Sequence, residues 1–174
     1  MHQGWVIMRN LIIYRDKGSI DMDIINAFED KIGFCLPKSY KEIISEHDGL
    51  RLVENGFDFV NIYGENDERD LNFLSFLPMD TEYSPTGYYI PIEDFQVSKW
   101  DYGIKGLVSF GDCANGDIIC FDYRDDPKGC NPKVVLVYHD DYITQEDGTI
   151  QMVVNFVANS FEEFMDMLYE YKDE

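Results

Sequence analysis

Positive charge is scarce in this chain. Fourteen Lys and Arg face 34 Asp and Glu in 174 residues, a formal net charge of −20. An acidic surface of that size repels phosphate backbones, so direct nucleic-acid binding is not expected. Histidine is scarcer still, with three in all. The four cysteines (Cys35, Cys113, Cys120, Cys130) include no C-x-x-C pair and match none of the usual zinc spacings. There is no G-x-S-x-G elbow, and no cysteine lies beside a recognisable histidine with an orienting residue. Carboxylate pairs are so abundant that no single pair points to hydrolysis. The expectation is a protein that is not an enzyme and has neither metal nor cofactor. No apolar run reaches membrane-span length, so no membrane partner is expected. The opening "MHQGWVIMRNLIIYRDKG" has no basic leader and no small-residue cleavage site, and its apolar run is broken by Arg9 and Asn10. It reads as an arm or extra strand over Trp5 to Tyr14. Cys35 and Cys120 lie in apolar runs and read as small buried hydrophobes. Reduced thiols and a cytoplasmic location follow as expectations.

Aromatic residues, by contrast, are plentiful at 15%, which argues for a folded core despite the charge. The length fits one domain, divided as residues 1–20 (arm) and 21–174 (domain). Ile24, Ile25, Phe28 and Ile32 share a helical face, with Ser19 or Asp21 to cap it and Gly33 to end it. A second helix follows Pro37, with Tyr40, Ile43, Ile44 and His47 at i, i+3, i+4 and i+7, and Gly49 closing it. "GFDFVNIYG" alternates as a strand. "ENDERD" (65–70) reads as a solvated loop or an exposed helix start, and "LNFLSFLPMD" has no clear assignment. Residues 80–104 form a long excursion with a short helix near Ile92 to Val97. "GLVSF", "DIICFDY" and "KVVLVYH" are near-continuously apolar, which predicts strands covered on both faces. "TIQMVVNFVA" is a last strand or the lead-in to a final helix, which opens at Ser160 and Glu163 with a capping box. The fold class is α+β: an antiparallel meander with N-terminal helices and a C-terminal helix packed around it.

The stretch "FGDCANGDIICFDYRDDPKG" (110–129), with a loop at 111–116, holds five aspartates. Ala114 breaks the alternation of oxygen ligands that a calcium loop needs, and Asn-Gly codes directly for a hairpin, so the loop is expected to be structural. His139, Asp140 and Asp141 carry metal-ligand chemistry, but neighbours on a strand point to opposite faces and are not expected to converge. Surface remains. The acids Glu65, Asp67, Glu68 and Asp70, then Asp122, Asp125 and Asp126, then Asp140, Asp141, Glu146 and Asp147, all fall in expected loops or strand ends. Among nearby aromatics, Tyr63, Tyr88, Tyr89, Trp100, Tyr102, Tyr123 and Tyr142 are candidate anchors for a protein interface. The candidate partner-binding set is Glu65, Asp67, Glu68, Asp70, Trp100, Tyr102, Asp125, Asp126, Asp140 and Asp141.

Three blocks carry a family resemblance: "IINAFEDKIGFCLPKSYKEIISEHDG", "VSFGDCANGDIICFD" and "ANSFEEFMDML". Together they span residues 24–168 and resemble the SUKH superfamily, proteins similar to the fungal cell-wall assembly regulator and to many bacterial immunity proteins. Phe28, Leu36, Pro37, Tyr40, Gly49, Gly111, Gly116, Asp117, Asp122 and Phe161 match positions that the resemblance assigns to the fold. It implies an immunity protein that binds a cognate protein toxin and occludes its active site. Such a toxin is a basic nuclease or another nucleic-acid-directed domain, and the immunity protein a monomer or weak homodimer. The alternative is a non-enzymatic regulatory adaptor or scaffold without a toxin partner, as in the fungal relatives.

Overall fold

Local signals set the helices. In a computed structural model, which describes residues 10–77 and 90–172, helix α1 (Met22–Ile32) starts where the Asp21 side chain accepts from the Asp23 N–H and stops at Gly33, whose φ of 76° suits glycine. Ile25 and Phe28 are buried, whereas Ile24 faces solvent, so the expected stripe is narrower than four residues. Helix α2 (Lys38–Glu46) begins after Pro37 and buries Tyr40 and Ile44. His47 ends that helix half-exposed instead of joining the core stripe, and its Nδ1 lies 2.6 Å from Asp16 of the arm. The arm contributes β1 (Ile13–Arg15), paired antiparallel with β2 (Arg51–Leu52). The rest of the expected Trp5–Tyr14 strand lies largely outside the described residues.

A five-stranded antiparallel sheet forms the frame, in the order β5 (Asn72–Phe73), β6 (Leu107–Asp112), β7 (Ile118–Asp122), β8 (Lys133–Thr144), β9 (Ile150–Ala158). The stretch expected as a last strand or a helix lead-in is therefore a strand over Ile150–Ala158. Alternation along these strands sends Phe110, Phe121, Leu136 and Val153 to one face, where α1, α2 and the short α3 (Phe161–Asp166) cover them. Tyr40 is central there, with its ring edge-on to Phe110, Phe121 and Phe161. Leu107, Ile118, Cys120, Val135, Val137 and Met152 face the other way, under a segment with 3₁₀ turns at Ile92–Asp94 and Val97–Lys99. Gln96 and Ser109 tie that segment to β6 through three buried hydrogen bonds, one of them from Val97 N–H to the Ser109 hydroxyl. Both faces are thus covered, as the apolar runs required.

One sequence expectation fails outright. Residues 66–70 are neither loop nor helix: β3 (Gly56–Val60) pairs in full register with β4 (Asn66–Asp70), from Gly56↔Asp70 to Val60↔Asn66. The backbone pairing and two inward-turned side chains make this strand, without any apolar alternation. The cysteine expectation holds for Cys120 and fails for Cys35. Cys35 is bonded to Cys130, joining the α1–α2 connection to the β7–β8 loop across 95 residues, while Cys113 and Cys120 are free and buried. Among the described residues no helix is long and apolar enough to cross a membrane.

Candidate functional site

Two turns and the base of a long hairpin meet at one end of the sheet. The β6–β7 turn closes with Gly116 N–H donating to the Cys113 carbonyl and Cys113 N–H to that of Asp117. Only Gly116 takes a positive φ (98°); Asn115 does not. Asparagine acts here through its side chain, which accepts from Asp117 N–H and donates to the Asp117 carboxylate. The β3–β4 turn is built on Asn61, whose Oδ1 accepts from the backbones of Tyr63 and Glu65. The β8–β9 hairpin extends past the core to a turn at Gln145–Thr149.

Asp117 fastens these pieces together. Its side chain is 1% exposed, and its oxygens accept from Arg69 Nε (2.8 Å), Asn115 Nδ2 (3.0 Å), His139 N–H (3.0 Å) and His139 Nδ1 (2.6 Å). Burial disfavours its charge, but these donors outweigh burial and hold its carboxyl below the usual aspartate range. Arg69 also bonds Asp67 at 2.6 Å, and Asp67 accepts from the Tyr138 hydroxyl at 2.7 Å. His139 reaches Asp117 because β8 is irregular between Val137 and Tyr142, where strand alternation lapses. That bulge corrects the expectation of divergence: ligand atoms of Asp117, His139 and Asp140 lie within 4.8 Å of one another. The donor arithmetic nevertheless opposes a cation. A carboxylate has about four acceptor sites, all four of Asp117's are engaged, and the Arg69 guanidinium already supplies the positive charge. Asp117 is a structural junction.

The remaining acids sort by place. Asp70 accepts from Ala114 N–H, and Asp141 accepts from the Tyr63 hydroxyl at 2.7 Å. Glu65 and Asp140 are exposed at the same end, while Glu68, exposed in the middle of β4, accepts from the Tyr169 hydroxyl at 3.2 Å. Asp58, Asp67 and Glu68 border an open hollow of about 710 Å³ on the β3–β4 hairpin. Tyr102 and Tyr142 are exposed and meet edge-on at 5.5 Å, and Ile62 and Tyr63 are exposed beside them. Asp125 and Asp126 do not join this group. They lie in the β7–β8 loop at the far end of β7, where Asp125 pairs with Lys133 and Arg124 grips Asp122. Trp100 is half-buried against Phe95 at 5.0 Å. Tyr123, 1% exposed, is core: it stacks on Phe34 and donates to the Cys35 carbonyl. Tyr88 and Tyr89 lie outside the described residues.

The resemblance positions have structural work to do. Gly111 has no room for a Cβ, which would meet Leu71 at 2.9 Å. Asp48, fully buried beside Gly49, accepts from the Ser75 hydroxyl and from the N–H groups of Phe76 and Leu77. Residues 20–167 match the SMI1 / KNR4 family (SUKH-1). The chain is a SUKH-1 family member. No curated protein and no solved structure matches it.

What this SUKH-1 fold presents is an acidic face set with exposed aromatic and aliphatic side chains. From Leu52 to Ser98 the sole Lys or Arg is Arg69, spent on Asp67 and Asp117, and from Val134 to Tyr171 there is none. Sequence reasoning found the acids but missed that Asp67, Asp70 and Asp141 brace the fold. It also missed Asn61, Ile62, Tyr138 and Phe156, because turn chemistry and exposure at these positions depend on tertiary placement.

Proposed function

We propose that this SUKH-1 protein is a non-catalytic immunity protein that binds a basic toxin domain in the cytoplasm and covers its active site. The observation that carries the reading is the end of the sheet where the acids Glu65, Asp140 and Asp141 lie with exposed Ile62, Tyr63, Tyr102 and Tyr142. Enzymes that act on nucleic acid carry positive surfaces to hold phosphates. An acidic face competes for that surface, and its apolar residues add contact that a phosphate backbone lacks. Family membership supports the reading, since SUKH proteins include toxin-immunity proteins.

The test is capture of the tagged chain from its source cells at low salt, followed by titration of the recovered partner's activity. A basic toxin domain recovered at one-to-one stoichiometry and inhibited at that ratio supports the proposal. Recovery of cell-envelope or housekeeping enzymes, unaffected in activity, sinks it in favour of an adaptor. Rapid acid quenching and thiol labelling of the same cells reports on location. A cytoplasmic protein yields Cys35 and Cys130 reduced, whereas persistence of the bond seen in the structure places the chain in an oxidising compartment and overturns the cytoplasmic part of the proposal.

A further inference from the structure

The sheet order ends at β9, leaving one side of this strand without a paired strand among the described residues. Natural edge strands are protected by charge, proline, brevity or bulges. Over nine residues, Ile150 to Ala158, β9 has no charged residue, no proline and no glycine, and its one extra residue against β8 falls at the end, between Phe156 and Ala158. Its backbone directions can be assigned. Met152 N–H points away from β8, since it donates to the Tyr102 carbonyl at 2.9 Å. The period of two then turns the N–H and C=O of Val154 and Phe156 outward as well. Phe156 is 49% exposed, and the β3–β4 turn is pinned beside the edge by Ile62 N–H donating to Asn155. An extended segment added here would meet Phe156 on one face and the exposed Ile62 next to the other. Tyr102 already occupies the adjacent edge position from αL backbone (φ 61°).

Charge selects the occupant. Residues 134–171 contain eight acids (Asp140, Asp141, Glu146, Asp147, Glu162, Glu163, Asp166, Glu170) and no Lys or Arg. A second copy, itself at −20, is repelled. We infer that the free edge of β9 at Val154 and Phe156 is a strand-addition site for an extended, lysine- or arginine-bearing segment of a partner protein. The inference rests on the reading of this chain as a binding protein and specifies how contact is made.

The probe is a fluorescein-labelled octapeptide of alternating lysine and valine, beside a twin methylated on alternate backbone nitrogens, which keeps the charge but cannot pair. The expected result is at least tenfold weaker binding of the twin, and a similar loss of peptide binding in Phe156→Lys. Val154→Pro removes an outward N–H while sparing the β8 ladder and is expected to do the same. If Val154→Pro fails to fold, the exposed Phe156→Lys site still decides. Asp125→Asn/Asp126→Asn, at the other end, is expected to bind normally. In hydrogen exchange the Val154 and Phe156 amides should exchange fast in the free protein and slow with peptide. Equal binding of the twin, full binding by Phe156→Lys, or protection of both amides in the free monomer overturns the inference. So does a concentration-dependent dimer that Val154→Pro abolishes, because a second copy would then own the edge. A toxin inhibited equally by wild type and Phe156→Lys leaves the immunity proposal standing without strand addition. Strand-specific peptide binding with no toxin partner does the reverse.

Discussion

Replacing Asp117 by Asn keeps the shape of the side chain and removes its charge. The amide offers one oxygen and one NH₂ group where four donors now converge, so at least two charge-assisted bonds are lost. Hydrogen bonds to charged groups contribute about 1.5–3 kcal/mol each, and breaking a buried ion pair costs about 3–5 kcal/mol. Arg69 retains Asp67 at 2.6 Å, which places Asp117→Asn at the lower end, about 3 kcal/mol. For a chain of this size that corresponds to a fall in Tm of roughly 6–12 °C. Urea unfolding at pH 7 reads the free energy directly. Acid supplies the sign. A carboxyl held below its ordinary value contributes stability present above about pH 4, and that contribution fades as pH falls through the lower folded value. The gap between wild type and Asp117→Asn should therefore shrink on acidification below about pH 4. A loss under about 1 kcal/mol at pH 7, or a gap that persists unchanged into strong acid, refutes the view of Asp117 as a charged junction.

Asp112 behaves oppositely: burial, only partly offset by Arg51, raises its carboxyl to about 6. Its stabilising share is present below about pH 4 and is lost as pH rises through 6, so Asp112→Asn should stabilise at pH 7.5 by up to about 3 kcal/mol and hardly at all at pH 4, by urea titration. Tyr40 buries a hydroxyl with no partner among the described residues, so Tyr40→Phe should be neutral or gain about 1 kcal/mol in the same assay. Cys130→Ser opens a crosslink between residues 95 apart and should cost the oxidised protein about 2–4 kcal/mol, with no effect on the reduced one.

Where the sequence spoke locally, it was legible. Asp21, Gly33, Pro37 and Ser160 mark helix ends because capping is a short-range bond, and Ser160 accepts from Glu163 N–H as its spacing foretold. The meander was readable because near-continuous apolar runs separated by Asn-Gly or Pro-Gly segments leave few other arrangements. What escaped depends on partners distant in sequence. Asn66 to Asp70 carry no apolar alternation, and become a strand only because β3 lies alongside and Arg69 and Asp67 turn toward Asp117 and Tyr138. The bulge that brings His139 to Asp117 leaves no mark in "VYHDDYI". The Cys35–Cys130 pairing has no spacing motif, so burial was the natural reading of Cys35. Proximity of the acids was equally invisible: the β3–β4 turn and the β8–β9 arm come together, and Asp125 and Asp126 go elsewhere.

That division of acids bears on how a basic partner would be held. Asp117 is saturated by four internal donors and Asp48 is fully buried among three, so neither is free to meet a partner. Glu65 and Asp140 lie exposed, well solvated and screened, so each alone adds little to affinity. Their combined field acts at longer range, where it raises the encounter rate and falls away with salt. Residence must come from contacts that exclude water, and Phe156, Ile62, Tyr63 and Tyr142 are the exposed side chains able to provide them. The two roles therefore separate kinetically. Glu65→Gln with Asp140→Asn should slow association several-fold at low ionic strength and leave dissociation nearly unchanged, while Phe156→Ala should speed dissociation at any salt. Surface plasmon resonance against the captured partner at two ionic strengths measures both. If the acid substitutions speed dissociation as much as Phe156→Ala does, the carboxylates are buried contacts in the complex, and the division between steering and holding fails.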